Sequence, residues 1–439
     1  MSIISIFYNL IFIPIAKLLS FILYPFNSKL KEREKGWKDT LMDLDLLPFK
    51  EDGVFRIWFH AASMGEFEQA KPVIERLKNL DPESQIIVSF YSPSGYNNQH
   101  NYKHADSVVY MPFDSYQKAK RFINTMNPDI AVFVRYEIWR NHLRILYKRK
   151  IPTYLICATI PNSRFLKNVI LKPYVKSSYK LFRKIFTVGE AHTTFFQKLK
   201  LKTKVFTLTD TRFDRIAEKV EVGKTEKILP DILFNINEFI FIAGSTWQPD
   251  EEIIIETVKR FEKENKAKIK LILVPHEPTA SHLENIKSMI PHSFFLSQVL
   301  DYLDRENNDE LIQKFLGKNH IIVDSIGKLL RLYAGTHAAY IGGGFGVGVH
   351  SVTEPAGYGI PLASGPNFTN SPDAIELNKL GALSIINDSE DLYFWLSDMI
   401  NDVEKRNKIG KISKDYVFNA CGSSDTILDE ILSDYDFSV

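Results

Sequence analysis

The sequence predicts an α/β protein built on two parallel sheets, and three observations carry that prediction. Short apolar runs alternate with amphipathic stretches along most of the 439 residues, which is the signature of strands alternating with helices. The alternation falls into two series separated by a polar stretch over 214–237. The length suits roughly two to three domains, and a hydrophobic fraction of 45% with 25% charged residues is enough to bury sizeable cores.

The first series reads as a buried strand over 54–60, a small-residue loop and a helix over 66–80. Strands follow at 85–90 and 107–111, a helix at 116–124, and strands at 130–134, 153–157 and 184–188. The second series gives a strand at 239–243, a helix at 250–265, a strand at 269–274 and a helix at 280–289. Next come a strand at 321–323, a helix at 326–334, a strand at 338–341, a glycine loop, a helix from about residue 350 and a strand at 361–363. Such a pair implies two Rossmann-like domains with a cleft between them.

Residues 3–26 stand apart. They are nearly all apolar or aromatic, and Lys29, Lys31, Arg33 and Lys35 follow them. No basic segment precedes this run and no small-residue cleavage site ends it, which argues against a signal peptide. A spanning helix needs about 20 uninterrupted apolar residues. Here Asn9, Pro14, Lys17 and Ser20 intrude, and a lysine at the bilayer centre costs a few kcal/mol. The expectation is an interfacial anchor, with Phe7, Leu10, Phe12, Leu18, Leu19 and Phe21 in lipid and the basic residues on anionic headgroups. A core helix and a true span stay open as alternatives.

The net charge of +2 excludes the field of a nucleic-acid binder. Two cysteines, Cys157 and Cys421, form no CxxC pair, which argues against a disulfide framework or a zinc site. Gly223-Lys224-Thr225 lacks the upstream glycine of a phosphate loop, and no spacing suggests a metal clamp.

Four motifs carry chemistry. His60-Ala61-Ala62-Ser63-Met64-Gly65-Glu66 lies where a strand hands over to a helix, at a sheet's carboxyl edge. Glu66 there can take a proton from an attacking hydroxyl; equally, Ser63-x-x-Glu66 is a capping-box pattern. Arg135-Tyr136-Glu137-Ile138-Trp139 closes another strand, with Glu137 placed to bind sugar hydroxyls or to pair with Arg135 or Arg140. Ser163-Arg164 and Asp210-Thr211-Arg212 offer arginines for a phosphate or carboxylate, against the alternative of structural ion pairs. In the second series Gly244-Ser245-Thr246 and Pro275-His276 follow strands, and Gly342-Gly343-Gly344 leads toward His350 and Glu354. Amides and hydroxyls at such a loop suit a phosphate. His350 and Glu354, four apart on a helix, would share one face.

Taken together, these residues resemble the Kdo (3-deoxy-D-manno-octulosonic acid) transferases, from the N-terminal anchor to about residue 385. The family's His-Ala-x-Ser-x-Gly-Glu signature is matched by His60 to Glu66, its Glu-x-Trp by Glu137 and Trp139, its Ser-Arg by Ser163-Arg164, and its Arg-Phe-Asp by Arg212-Phe213-Asp214. Gly244-Ser245-Thr246, Pro275-His276 and Gly342 to Gly365 follow in order. Val349 and Ser351 depart from the family's Gly-His-Asn-x-x-Glu, and Thr209 stands where a glycine is usual.

The resemblance implies a GT-B fold, two Rossmann-like domains facing a central cleft with an N-terminal membrane-anchoring helix. The implied domains are an anchor with basic linker (1–35), an acceptor domain (36–213), a linker (214–237) and a CMP-Kdo-binding domain (238–439) whose last helix is free to pack back on the first domain. It implies an inverting glycosyltransferase without metal or cofactor, moving Kdo from CMP-Kdo to a lipid A precursor (lipid IVA) in lipopolysaccharide synthesis. The place is the anionic cytoplasmic face of the inner membrane, with no nucleic-acid partner. Glu66 is the implied catalytic base. Ser63, Gly65, Glu137, Ser163, Arg164 and Arg212 are the implied substrate-binding residues, and Gly244, Ser245, Thr246, Pro275, His276, Gly343, Gly344, His350 and Glu354 the donor-binding ones. A GT-B enzyme using a UDP- or GDP-sugar, and a non-catalytic membrane-associated binding protein of the same fold, stay open.

Overall fold

The structure is a computed structural model that describes all residues except 1–2, 44–49, 51–52, 161–171, 231–232, 234–236, 304–319 and 435–439. The chain divides into two units, Met1–Arg215 with Cys421–Val439, and Ile216–Ala420.

The first unit holds a seven-stranded sheet of β1 (Arg56–Ala61), β2 (Gln85–Phe90), β3 (Ser107–Tyr110), β4 (Ile130–Val134), β5 (Thr153–Ala158), β6 (Lys184–Val188) and β7 (Lys204–Leu208). The order is β3-β2-β1-β4-β5-β6-β7, with every pairing parallel. Parallel strands covered on both faces read as continuous apolar runs, and β1, β4 and β5 are buried along their whole length. Alternate side chains of β1 serve opposite faces: Ile57, Phe59 and Ala61 join one core cluster and Trp58 the other. The period of two therefore puts His60 on the Trp58 side. The closing helix Ser423–Leu432 belongs to this unit, where Ile427, Leu428 and Ile431 complete the core cluster around Phe59. Asp214 fixes its start by accepting the amides of Gly422 (2.5 Å) and Ser424 (2.8 Å).

The second unit repeats the plan with β8 (Glu238–Thr246), β9 (Lys268–Pro275), β10 (Ser293–Phe295), β11 (His320–Ile322), β12 (Ala338–Ile341), β13 (Leu362–Ser364) and β14 (Leu383–Ile385). Its order is β10-β11-β9-β8-β12-β13-β14, again parallel.

Several segments differ from the sequence expectation. Strands β7, β10 and β14, each at a sheet edge, were not predicted; β7, facing solvent, carries Lys204 and Thr207 outward and loses its apolar signature. The stretch read as linker opens with a helix, Arg212–Thr225. Its buried Phe213 and Val220 lie seven apart on one face, a weak period hidden among charged neighbours. The helix expected from residue 350 begins instead at Thr353 and ends at Gly357. Gly348, at φ +106°, and a His350 amide bonded to the Gly342 carbonyl (3.2 Å) hold the preceding chain in a loop. His350 and Glu354 therefore do not share a helix face.

The N-terminal helical stretch Ile4–Phe26 is long and apolar enough to cross a membrane by length and composition. A π-helical turn, Tyr8–Phe12, precedes Pro14, which has no N–H to give and crowds the carbonyl four residues back. One side of this stretch is glued to the first unit. Tyr8 donates to Asp114 (2.7 Å), Asn9 and Asn141 exchange amide bonds (3.1 and 2.9 Å), and Arg140 reaches Ser5 (3.3 Å). The opposite side is bare: Phe7, Leu10, Phe12, Leu18, Leu19 and Phe21 are each more than half exposed. The Tyr8→Phe variant removes a hydrogen bond to a buried carboxylate, and the expected cost is about 1–2 kcal/mol. It is read as a lower urea midpoint and faster protease nicking of the first helix.

Candidate functional site

In each sheet the connections run outward in opposite directions from one pair of neighbouring strands, β1/β4 and β8/β12, which opens a crevice at their carboxyl ends. The predicted motifs sit at these two places, one in each unit.

In the first unit, β1 ends at Ala61 and the helix Met64–Leu80 starts after Ser63, an extended N-cap with no side-chain cap bond. Glu66 lies in the first turn and turns its carboxylate back to its own loop. Its Oε2 accepts the Ala62 amide (2.6 Å), and the Ser63 backbone bonds it as well. Half of the capping box is thus present, the glutamate half without the serine half. A carboxylate has about four acceptor positions, so two amides orient Glu66 without saturating it. Burial raises its pKa, while the Ala62 bond, the Arg135 charge and the Ser63 bond oppose the rise. Gly65 beside it is exposed, and a Cβ there would meet nothing within 4 Å. This leaves room for a ligand to approach the helix start.

Glu137 comes from the loop after β4. It accepts the Trp139 indole N–H (2.7 Å) and lies 3.9 Å from His60 Nε2. Neither Arg135 nor Arg140 takes the pairing the sequence left open. Arg135 donates to Gln69 (2.8 Å), and Arg140 donates to Ser177 and Ser178 (both 2.7 Å). Burial, and then the nearby Glu66 charge, push the Glu137 carboxyl up to about 7 against the Trp139 bond. His60 is fully buried, with Nδ1 2.9 Å from the Ser89 hydroxyl, and burial followed by His142 pushes it down to about 3. It is therefore neutral, and its Nε2, facing Glu137, has no hydrogen-bond partner. Trp139 is spent on packing, 4.6 Å from the Tyr91 ring and edge-on to His60.

Arg212 takes the ion-pair alternative, held by Asp210 at 2.9 Å with its side chain 44% exposed. Asp210 also accepts from Gln69 (2.7 Å), so a chain runs Arg135–Gln69–Asp210–Arg212. Gln69 carried no signal in the sequence, since its role depends on two loops far from it in the chain. Ser163 and Arg164 lie outside the described residues.

In the second unit the sheet slips between Gly244 and Thr246, and Ser245 adopts φ +55°. Asp250 ties the crevice together by accepting the Trp247 and Gly343 amides and the Tyr340 hydroxyl, each at 2.9 Å. The glycine loop is tight: a Cβ on Gly342 would sit 2.2 Å from the Ser245 carbonyl, and one on Gly344 2.4 Å from the Gly365 amide. The amides of Gly342, Gly343, Gly346 and Gly348 are engaged within the protein. These glycines therefore serve close packing first. Past them, Trp247, His276 and His350 form an aromatic stack, with ring centroids 4.8 and 4.3 Å apart and the Trp247 indole bonded to His350 Nε2 (3.1 Å). Burial lowers the His350 pKa, and His276 lowers it further. Pro275 ends β9, and the His276 amide returns to the Thr246 carbonyl (2.9 Å). Glu354 is half-buried on the short helix. Trp247 and Asp250, which organise this crevice, were not among the predicted site residues.

Residues 28–215 match the family described as 3-deoxy-D-manno-octulosonic-acid transferase (kdotransferase). Over most of its length the chain is similar to 3-deoxy-D-manno-octulosonic acid transferases, at 23–27% identity. The 3-deoxy-D-manno-octulosonic acid transferase of Aquifex aeolicus is 27% identical over 366 residues, 82% of this chain and 90% of that one. A bifunctional glycosyltransferase/methyltransferase of Fusobacterium nucleatum is 26% identical over 75% of this chain, which spans 50% of that relative's length. In fold, the chain resembles the UDP-GlcNAc 2-epimerase from Neisseria meningitidis, with TM-score 0.56 and 13% identity over 86% of this chain and 100% of the other. Two Rossmann-like units, each with a crevice at its strand reversal, make this a GT-B-type fold.

Proposed function

We propose that this protein is a Kdo transferase that moves Kdo from CMP-Kdo onto a sugar hydroxyl of a lipid A precursor (lipid IVA), inverting the anomeric centre without a catalytic metal. The observation that carries the reading is the oriented, buried carboxylate of Glu66 at the end of β1, beside the open flank of Gly65, in a Kdo transferase family domain. In this reading the acceptor hydroxyl loses its proton to Glu66 as its oxygen attacks the anomeric carbon, and CMP departs with the bonding pair. Burial, which raises the Glu66 pKa, makes it a better base than a solvated carboxylate. Glu137 holds a second acceptor hydroxyl, with Ser63 and Gly65 shaping the approach. Arg212, whose guanidinium fork suits a phosphate or the Kdo carboxylate, is assigned to that anion, and Ser163 and Arg164 are assigned the same task.

On the donor side, the half-buried Ser245 with Gly244 and Thr246 at the β8 bulge is assigned to the phosphate, as are Gly343 and Gly344 by close approach. Pro275, His276 and His350 form the face for the nucleoside, and Glu354 takes the ribose hydroxyls. The bare apolar side of the N-terminal helix supports a seat on the cytoplasmic face of the inner membrane, where anionic lipids complement Lys29, Lys31, Arg33 and Lys35.

The test is transfer to the tetra-acylated precursor with CMP-Kdo generated in place, alongside thermal unfolding with free nucleotides. Labelled product and a melting temperature raised by CMP are expected, since a ligand that binds only the native state stabilises it by mass action. Protection by UDP or GDP with none from CMP would overturn the donor assignment.

A further inference from the structure

We propose that a cavity between the N-terminal helix and the first unit, walled by Lys17, Lys38 and Lys118, is a subsite for a phosphate group carried by the amphiphilic acceptor. This deepens the acceptor reading above and rests on it.

The cavity measures about 410 Å³ and is also lined by Phe21, Tyr24 and Glu34. Its three lysines come from three helices, Ile13–Leu23, Ser28–Asp43 and Tyr116–Met126, so the fold and not a local charge run brings them together. None of the three makes an ion pair among the described residues. Among the described lining residues the single carboxylate is Glu34, which lies 3.5 Å from Arg33. Lys118 is half-buried with its ammonium 5.0 Å from the Trp37 ring centroid. Burial lowers its pKa, and Lys17 and Arg33 lower it further against Glu34. Like charges gathered in a partly desolvated hollow repel one another, and an anion between them relieves the repulsion.

Two further features say what kind of anion. The cavity opens beside the bare apolar side of the first helix, where Leu18 and Phe21 are 58% and 79% exposed, so its occupant sits at a boundary between polar and apolar surroundings. It shares Ser20 and Phe113 with a second cavity of about 420 Å³ that reaches Tyr136, Glu137 and Trp139. A molecule with a phosphate at the lysines and apolar chains along the helix can thus extend its sugar toward Glu137. Free phosphate meets the lysines alone, without the apolar flank that an amphiphile also uses.

The experiment compares the full chain, the double variant Lys17→Gln/Lys118→Gln, and the charge-matched control Lys198→Gln/Lys202→Gln, two exposed lysines elsewhere on the first unit. In detergent micelles, the pocket pair is expected to raise KM for the phosphorylated acceptor roughly tenfold or more with kcat unchanged. KM for the dephosphorylated acceptor stays put, and the control pair changes neither. Lys118→Arg keeps the charge and is expected to keep the low KM. Sedimentation with phosphatidylcholine vesicles carrying phosphatidic acid reads the pocket without turnover: the pocket pair loses binding that the control pair keeps. Equal losses in both pairs would assign the effect to general surface charge and sink the subsite. An inactive wild type that still shows the vesicle difference would sink the transferase reading alone.

Discussion

Glu66→Gln is expected to lower kcat for Kdo transfer by about a hundredfold or more, with a far smaller change in the KM for either substrate. Positioned proton transfer contributes roughly 10²–10⁴ to a rate, and glutamine keeps the shape while losing the basicity. The structure makes the substitution clean. Glutamine can still accept the Ala62 amide through its carbonyl oxygen, so the helix start is preserved. The unfolding free energy, from urea titration in parallel, should change by no more than about 1 kcal/mol. A variant with wild-type turnover would reduce Glu66 to a cap of its own helix. A variant that loses activity and stability together would leave the loss to misfolding, and Glu66→Ala, which deletes the cap as well, sets the scale for that outcome.

The second large effect is on stability, at Glu137. Its carboxyl is pushed from 4.5 up to about 7 in the folded protein, by burial first and by Glu66 second. Below the unfolded value both states hold the proton and folding bears no penalty. Between 4.5 and about 7 the unfolded chain ionises while the fold resists, so stability falls as pH rises, and above about 7 the loss is complete. At 1.36 kcal/mol per pKa unit the span is about 3 kcal/mol. Glu137→Gln removes the charge and should therefore be more stable than the native chain by up to about 3 kcal/mol near pH 8, with the gain vanishing near pH 4.5. Denaturant unfolding at the two pH values checks this. A gain that is the same at both would show that Glu137 is not held away from its ordinary titration. A carboxyl kept at such a cost at the end of β4 is what a binding site tolerates and a structural core does not.

Much of the architecture was legible because parallel strands covered on both faces leave continuous apolar runs. β2, β4 and β6 fall on the predicted 85–90, 130–134 and 184–188. What escaped was set by tertiary context. β7 is an edge whose outward lysine and threonine break the run, and the loop at His350 depends on a carbonyl of Gly342 eight residues earlier. The site shows the same division. Motifs at strand ends located Glu66 and Glu137, since that position follows from the order of strand and helix. Whether each side chain is free or engaged could not be read there: Ser63-x-x-Glu66 spells a complete capping box, yet only the glutamate half forms. Arg212 reads equally well as an anion ligand or an ion-pair partner, and Asp210 decides the free protein's arrangement. The lysine pocket was invisible for a third reason, since Lys17, Lys38 and Lys118 converge only when three helices pack.

The closing helix of the first unit has a consequence for biogenesis. Ile427, Leu428 and Ile431 seal a core whose other members were made hundreds of residues earlier, whereas residues 216–420 form their unit from one uninterrupted stretch. During translation the later unit can therefore mature first, while the earlier one waits on the ribosome with an oily flank uncovered beside Phe67 and Val73. A nascent chain in that condition is a natural client for chaperones, and a stop codon a few dozen bases too soon would cripple the half of the molecule farthest upstream.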